Sequence, residues 1–285
     1  VKKSILDKIE PLIHILNSVE NRLKTWNIPH KAGSRGNSSL SDEQSYLTIC
    51  ETAFSDQKVF NKFRSCSEYK AILEHVSSSL GKEYLSILKT RGISELKIKS
   101  LLDGEIGTPS RFWYRGIGMA SPTELRYLKI ASDLQEIFGD LDDFKIAEVG
   151  IGFGGQCATI SKSSSIKCYD LVDLKEVLSL ASLYLTKSKI LTKINLCRDL
   201  LPSIPEYDLF ISNYALSELK VEYQEHYIEK FIKRSKRGYV IYNHITPKDF
   251  KTLTAEEFSE RIPNSIIVNE KPITHLGNKL IIWGQ

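Results

Sequence analysis

Apolar positions at the start of the chain recur with helical spacing. Ile5, Ile9, Leu12, Leu16, Val19, Leu23 and Trp26 alternate steps of four and three, a heptad stripe in which Pro11 marks the helix start or a kink. Such a stripe serves either as a dimer seam or as a face packed on the chain's other helices. HKAGSRGNSS, 30–39, reads as a loop, and Ser41 with Gln44 three positions on reads as a capping box opening the next helix. Helical periodicity returns over 58–64 and 69–89. LLDGEIGTPSRFWYRGIG, 101–118, breaks it with glycines, a proline and an aromatic cluster between two arginines. A helical N-terminal region, 1–115, is therefore expected ahead of a second domain, 116–285.

The second domain has a different texture. SPTELRYLKIASDLQEIFG reads as a helix with Ser121 as N-cap, Pro122 at its first position and Gly139 at its end. Short apolar runs follow at FKIAEVG, SIKCYDLV, ILTKINL, YDLFISN and GYVIYNHI, separated by helical segments near 154–163, 174–188, 215–236 and 254–261. Strand and helix in alternation predict an α/β fold with a parallel sheet covered on both faces. The tail departs from this, because NSIIVNE and NKLIIWGQ are joined only by KPITHLG. So short a link suits an antiparallel pair, since a parallel crossover takes about a dozen residues or more.

Composition narrows the function classes. The charged fraction is 26%, the hydrophobic fraction 41% and the formal net charge +4, with Lys and Arg spread along the chain, so nothing points to nucleic acid. The densest basic run, KFIKRSKRG at 230–238, closes an expected helix, where cations complement the dipole. Cys50, Cys66, Cys157, Cys168 and Cys197 are odd in number and form no C-x-x-C pair, which fits reduced thiols in a cytoplasmic protein. No apolar run approaches the about 20 residues of a membrane span. The chain begins with Val rather than Met, consistent with native residues ahead of it.

IAEVGIGFGGQC, 146–157, carries the chemistry. Gly150, Gly152 and Gly155 fit the dinucleotide fingerprint, and Gly154 adds a further glycine. Glycines in such a turn let backbone approach a ligand at a helix N-terminus. Glu148, two residues ahead of Gly150, puts a carboxylate at the expected strand mouth. That charge disfavours the pyrophosphate of an NAD-dependent oxidoreductase and favours a ligand bearing ammonium and sulfonium groups, as S-adenosylmethionine does. Asp173, 18 residues beyond Gly155, is spaced to take ribose hydroxyls, with Asp170 as its competitor. Asp199, after the third strand, is placed to hold an adenine amino group.

The motifs SPTELRY, AEVGIGFGGQ, YDLVDL, ISNYALSEL, RGYVIYNHI and NKLIIWG together resemble class I S-adenosylmethionine-dependent methyltransferases, and within them a bacterial sugar O-methyltransferase family. The resemblance covers about residues 105–285 and leaves the first hundred unmatched. It implies a Rossmann-like seven-stranded sheet with an antiparallel last strand. It also implies methyl transfer to a sugar hydroxyl during synthesis of a surface glycan, with S-adenosylhomocysteine as product and a saccharide or glycoconjugate as partner.

Methyl transfer asks the protein for positioning and for a base toward an alcohol. Candidates stand at two strand ends. SNYALSEL offers Asn213 toward the cofactor, Tyr214 toward the substrate, then Ser217 and Glu218; YNHI offers Asn243 and His244. His244 has the better intrinsic pKa for a base, with Glu218 as its partner, and the roles could be exchanged. RFWYRG supplies Arg111, Trp113 and Tyr114 for a sugar ring or its phosphate, or for interdomain packing. Arg126 and Tyr127 are close enough in sequence to the glycine loop to help cover the cofactor, with core packing as the rival. No carboxylate cluster suggests a metal. A homodimer through the N-terminal helices, methylation of another hydroxyl or an amine, and an idle S-adenosylmethionine-binding assembly module are the alternatives left open.

Overall fold

The computed structural model describes residues 44–197, 206–243 and 250–285, which belong to a compact unit spanning Ser38–Gln285. The heptad stripe over 5–26, Ser41, Asp199 and His244 lie outside the described residues.

Short polar residues divide the first described stretch into brief helices. After α1 (Gln44–Ser55), Asp56 accepts from the Lys58 N–H at 2.7 Å and starts α2 (Gln57–Phe60). Then comes α3 (Ser67–Ile72), and Ser77 accepts from the Leu80 N–H at 3.2 Å to start α4 (Ser78–Thr90). The helix expected over 69–89 is thus two helices, because Ser77 caps a new start. Ser94 repeats the device for α5 (Glu95–Leu101). In the glycine-rich break a hairpin of β1 (Phe112–Tyr114) and β2 (Gly118–Ala120) sets Trp113 opposite Met119, strands not anticipated from the sequence. α6 (Pro122–Phe138) runs from Ser121 to Gly139 as expected, although the Ser121 hydroxyl accepts from Arg64 rather than from its own helix.

The remaining elements build the sheet. In chain order they are β3 (Lys145–Val149), α7 (Gly155–Ser163), β4 (Cys168–Val172), α8 (Lys175–Lys187), β5 (Ile194–Cys197), β6 (Leu209–Asn213), α9 (Val221–Lys230), β7 (Gly238–Tyr242), α10 (Ala255–Glu260), β8 (Ile266–Asn269) and β9 (Lys279–Trp283). The seven strands lie in the order β5-β4-β3-β6-β7-β9-β8. β9 alone runs against its neighbours, slotted between β7 and β8, and the short tail link is its cause. The chain leaves β3 toward β4 on one side and returns to β6 on the other. The crevice at the carboxyl ends of β3 and β6 is therefore the topological switch point.

Alternation along the strands sorts the side chains into two cores. Ile146, Tyr169, Leu171, Ile211 and Ile241 face one side, where residues of α1, α6, α7 and α8 cover them. Ala147, Val149, Phe210, Val240 and Trp283 face the other, under α9 and α10. A third cluster joins α4, α5, Tyr114 and the start of α6. Helices from the expected N-terminal region thus share the core of the sheet, each buried aromatic among them worth about 1.5–3 kcal/mol.

Candidate functional site

β3 ends at Val149 and the chain turns at Gly150, whose φ of 77° is open to glycine and strained for other residues. Space forbids a side chain there as well, since a Cβ on Gly150 would stand 2.0 Å from the Ala215 Cβ. The turns after β3 and β6 thereby interlock at the switch point. Gly152 makes room of another kind: its side is covered by Leu73, with the Leu73 Cδ1 2.8 Å from where a Cβ would be. Gly154 caps α7 in the left-handed conformation, so the first N–H groups of that helix open toward the loop.

Phe153, at the loop's centre, is buried against Phe63, Tyr127 and Tyr184, with centroids 5.8, 5.8 and 4.7 Å away. The Arg64 guanidinium lies 4.6 Å over the same ring. Arg64 donates to Glu74 at 2.6 Å and pairs with Glu124 at 3.5 Å, all three buried. Burial, only partly offset by Arg64, pushes the Glu124 carboxyl up to about 7. This network, spread over 60 residues of sequence, fixes the loop from below and carried no motif that could reveal it.

The acids around the loop have separate fates. Glu148 does not present a charge at the strand mouth. It shares the β3 face of Ile146, lies 2% exposed, and accepts a 2.7 Å hydrogen bond from the Tyr169 hydroxyl. Burial there pushes its carboxyl up to about 8, so near neutral pH the protonated form prevails. Glu148, expected at the strand mouth, is thus carried by strand alternation to the face beneath the loop. Asp173 stands at the crevice edge and ties it together, accepting from the Ile151 N–H at 2.8 Å and the Leu174 N–H at 2.7 Å. Asp170 is turned inward, accepting from Tyr207 at 2.7 Å and Asn195 at 2.6 Å. α1 brings Tyr46 and Cys50 beside Asp173, whose charge adds to burial in raising both their pKa values, the Cys50 thiol to about 12.

Beyond β6 the chain is held in an uncommon shape. Tyr214 has φ 70°, a conformation costing about 1–3 kcal/mol and kept only where surroundings over-determine it. Four contacts do so. Its N–H donates to Ile241 at 2.8 Å, its carbonyl accepts from Ser217 at 2.7 Å, its phenol donates to Glu270, and its ring meets the Arg126 guanidinium. Glu270 in turn accepts from Thr274 and, at 3.0 Å, from Asn278. Glu270 was missed in the sequence because it lies 56 residues from Tyr214 and follows no periodicity. Asn243 clasps the same loop: its backbone N–H donates to the Ser217 hydroxyl at 3.2 Å and its Nδ2 donates to Glu218 at 3.0 Å. Asn243 is thus a brace of this loop.

The RFWYRG residues disperse. Tyr114 is buried against Gly81, its hydroxyl 3.3 Å from the Ser78 carbonyl, and so faces the third core. Arg111 pairs with Glu105 at 2.7 Å and donates to the Met119 carbonyl, while Trp113 is 71% exposed. Packing of the hairpin accounts for the first two, and Trp113 faces solvent along with Phe112 and Arg115.

What the crevice offers a ligand is set by atoms left without partners. Asn213 Oδ1 is buried with no hydrogen-bond donor among the described residues. It follows β6 directly, at the interlocked turns, and an acceptor so placed calls for a donor group from a ligand. The loop backbone, the N-terminus of α7, Asp173 and Asn213 are together suited to a nucleoside carrying an ammonium group.

The fold is a doubly wound, seven-stranded sheet with one reversed strand and a glycine-loop crevice at its switch point. The chain matches no family model and no curated protein. Solved structures of similar fold include the magnesium protoporphyrin IX methyltransferase of Synechocystis PCC 6803 with S-adenosylmethionine bound, 13% identical over 56% of this chain and 77% of that one, TM-score 0.43. The mitomycin 7-O-methyltransferase MmcR is 14% identical over 75% of this chain and 69% of its own, TM-score 0.43. The [4+2]-cyclase SpnF is 13% identical over 53% and 60%, TM-score 0.42. At these identities and scores the likeness is one of fold.

Proposed function

We propose that this chain is an S-adenosylmethionine-dependent O-methyltransferase whose acceptor is a saccharide hydroxyl, acting in the assembly of a bacterial surface polysaccharide or glycoconjugate. The observation that carries the cofactor reading is Asn213 Oδ1, a buried acceptor without a donor at the glycine-loop crevice of the reversed-strand sheet. A ligand with an ammonium group brings a donor that satisfies it. When bound, S-adenosylmethionine supplies a methyl carbon activated by its sulfonium and leaves as S-adenosylhomocysteine.

The chain's own part is positioning and proton removal. Asp173, at the crevice edge where it accepts two backbone N–H groups, is the carboxylate assigned to the ribose hydroxyls. Glu218, held by Asn243, stands in the loop after β6, and His244 follows Asn243 directly in the chain. His244 takes the acceptor's proton with Glu218 orienting it, or the two exchange roles. The saccharide half of the reading is supported by the motif resemblance in GFGGQ and SNYALSEL.

The test is transfer of labelled methyl from S-adenosylmethionine to glycan extracts. His244→Ala should lower turnover at least about 100-fold with cofactor affinity nearly unchanged, the scale of a lost general base. Unaltered turnover removes His244 from the mechanism. Label arriving only on small non-sugar hydroxyls or amines replaces the acceptor, and cofactor binding without transfer to any acceptor indicates the idle module.

A further inference from the structure

We propose that Arg126 is an anion receptor, a buried guanidinium kept without a carboxylate partner so that a ligand can bring one to the crevice. Among the described residues, the other cations buried as deeply have acidic partners: Arg64 has Glu74 and Glu124, and Lys129 has Asp133 at 2.6 Å. Arg126, 8% exposed, makes no ion pair among them. It is flanked instead by the rings of Tyr127 and Tyr214, with centroids 5.5 and 5.6 Å from its guanidinium carbon. Aromatic faces soften the loss of water around a cation without neutralising it.

The acid nearest in the network is already committed. Glu270 receives the Tyr214 phenol on one oxygen and Thr274 and Asn278 on the other, and makes no ion pair with Arg126. The strained backbone of Tyr214 holds its ring against Arg126 while the phenol reaches away to Glu270. Tyr214 follows Asn213, whose Oδ1 also lacks a partner. A cation without an anion and an acceptor without a donor thus border the same strand end. The planar five-donor fork of arginine suits a carboxylate, taken bidentately.

Two sources can bring that carboxylate: the amino-acid end of the cofactor, which rests on the proposed function, or an acidic sugar as acceptor, which does not. Calorimetry on the full chain separates them, comparing wild type with Arg126→Gln. The probes are S-adenosylhomocysteine, its decarboxylated analogue, and D-glucuronate against D-glucose. If the cofactor is the source, the substitution weakens S-adenosylhomocysteine at least about 10-fold, as for a lost charge-assisted hydrogen bond, and leaves the decarboxylated analogue within about 3-fold. If the acceptor is the source, both nucleosides bind unchanged and glucuronate binding is lost. Should Arg126→Gln fail to fold, Arg126→Lys keeps the charge, removes the fork and is expected to weaken the same probe. Carboxylate probes that bind the variant as they bind wild type, or bind neither protein, overturn the assignment. Wild type that binds glucuronate through Arg126 but neither nucleoside refutes the methyltransferase reading and leaves the receptor standing.

Discussion

Replacing Gly150 by Ala probes the interlock on which the crevice depends. Two penalties arise from the geometry. The φ of 77° is left-handed, which costs a residue with a Cβ about 1–2 kcal/mol. The new methyl would lie 2.0 Å from the Ala215 Cβ, and overpacking of that kind costs about 1–3 kcal/mol. Together they come to about 2–5 kcal/mol, or roughly 5–15 °C in Tm for a domain of this size. The two parts separate in a double-mutant cycle, because Ala215→Gly relieves the contact and leaves the backbone strain. Scanning calorimetry of Gly150→Ala, Ala215→Gly and the double variant should return about 1–3 kcal/mol of the loss in the double variant. A Gly150→Ala protein melting within about 2 °C of wild type, below the smallest penalty expected, would refute the interlock. Full loss persisting in the double variant would assign the effect to strain alone.

Other consequences follow from buried charge. The Glu148 carboxyl sits at about 8 in the fold, against about 4.3 in an unfolded chain, so the fold favours its protonated form. That contribution is fully present below about pH 4, is lost as pH rises toward 8, and is constant beyond. Glu148→Gln should therefore become more stable relative to wild type between pH 5 and 8, and equal pH profiles from denaturant melts would contradict the buried, neutral carboxyl. Arg64→Met leaves Glu74 and Glu124 buried without their cation and should cost about 3–5 kcal/mol, read by urea titration; a loss under 1 kcal/mol would mean that the pair does not anchor the loop.

Pattern in the sequence was enough for the second half of the fold. β3 to β9 fall on the expected apolar runs, β5 reaching one residue past its run to Cys197, and the reversal of β9 followed from a link too short for a crossover. The glycine loop was also legible as a turn between a strand and a helix start, because local spacing fixes those three. What the sequence hid depends on contacts between distant segments. Glu148 looked like a charge at a mouth, and only the packing of Tyr169 and α7 shows it sealed beneath the loop. Gly152 looked reserved for a ligand, and Leu73, 79 positions earlier, covers it. Glu270 and Tyr214, or Arg64 and Glu124, meet through the fold with no periodic signal to announce them. The hairpin at 112–120 escaped because three-residue strands are too short to show alternation.

Under the proposed function the crevice binds a nucleoside with an ammonium-bearing tail. Titration calorimetry of the full chain with S-adenosylmethionine, S-adenosylhomocysteine and NAD tests it most directly. Saturable heats are expected for the first two, weakened when Asn213 is changed to Leu, and none for NAD. Binding of NAD alone would contradict it.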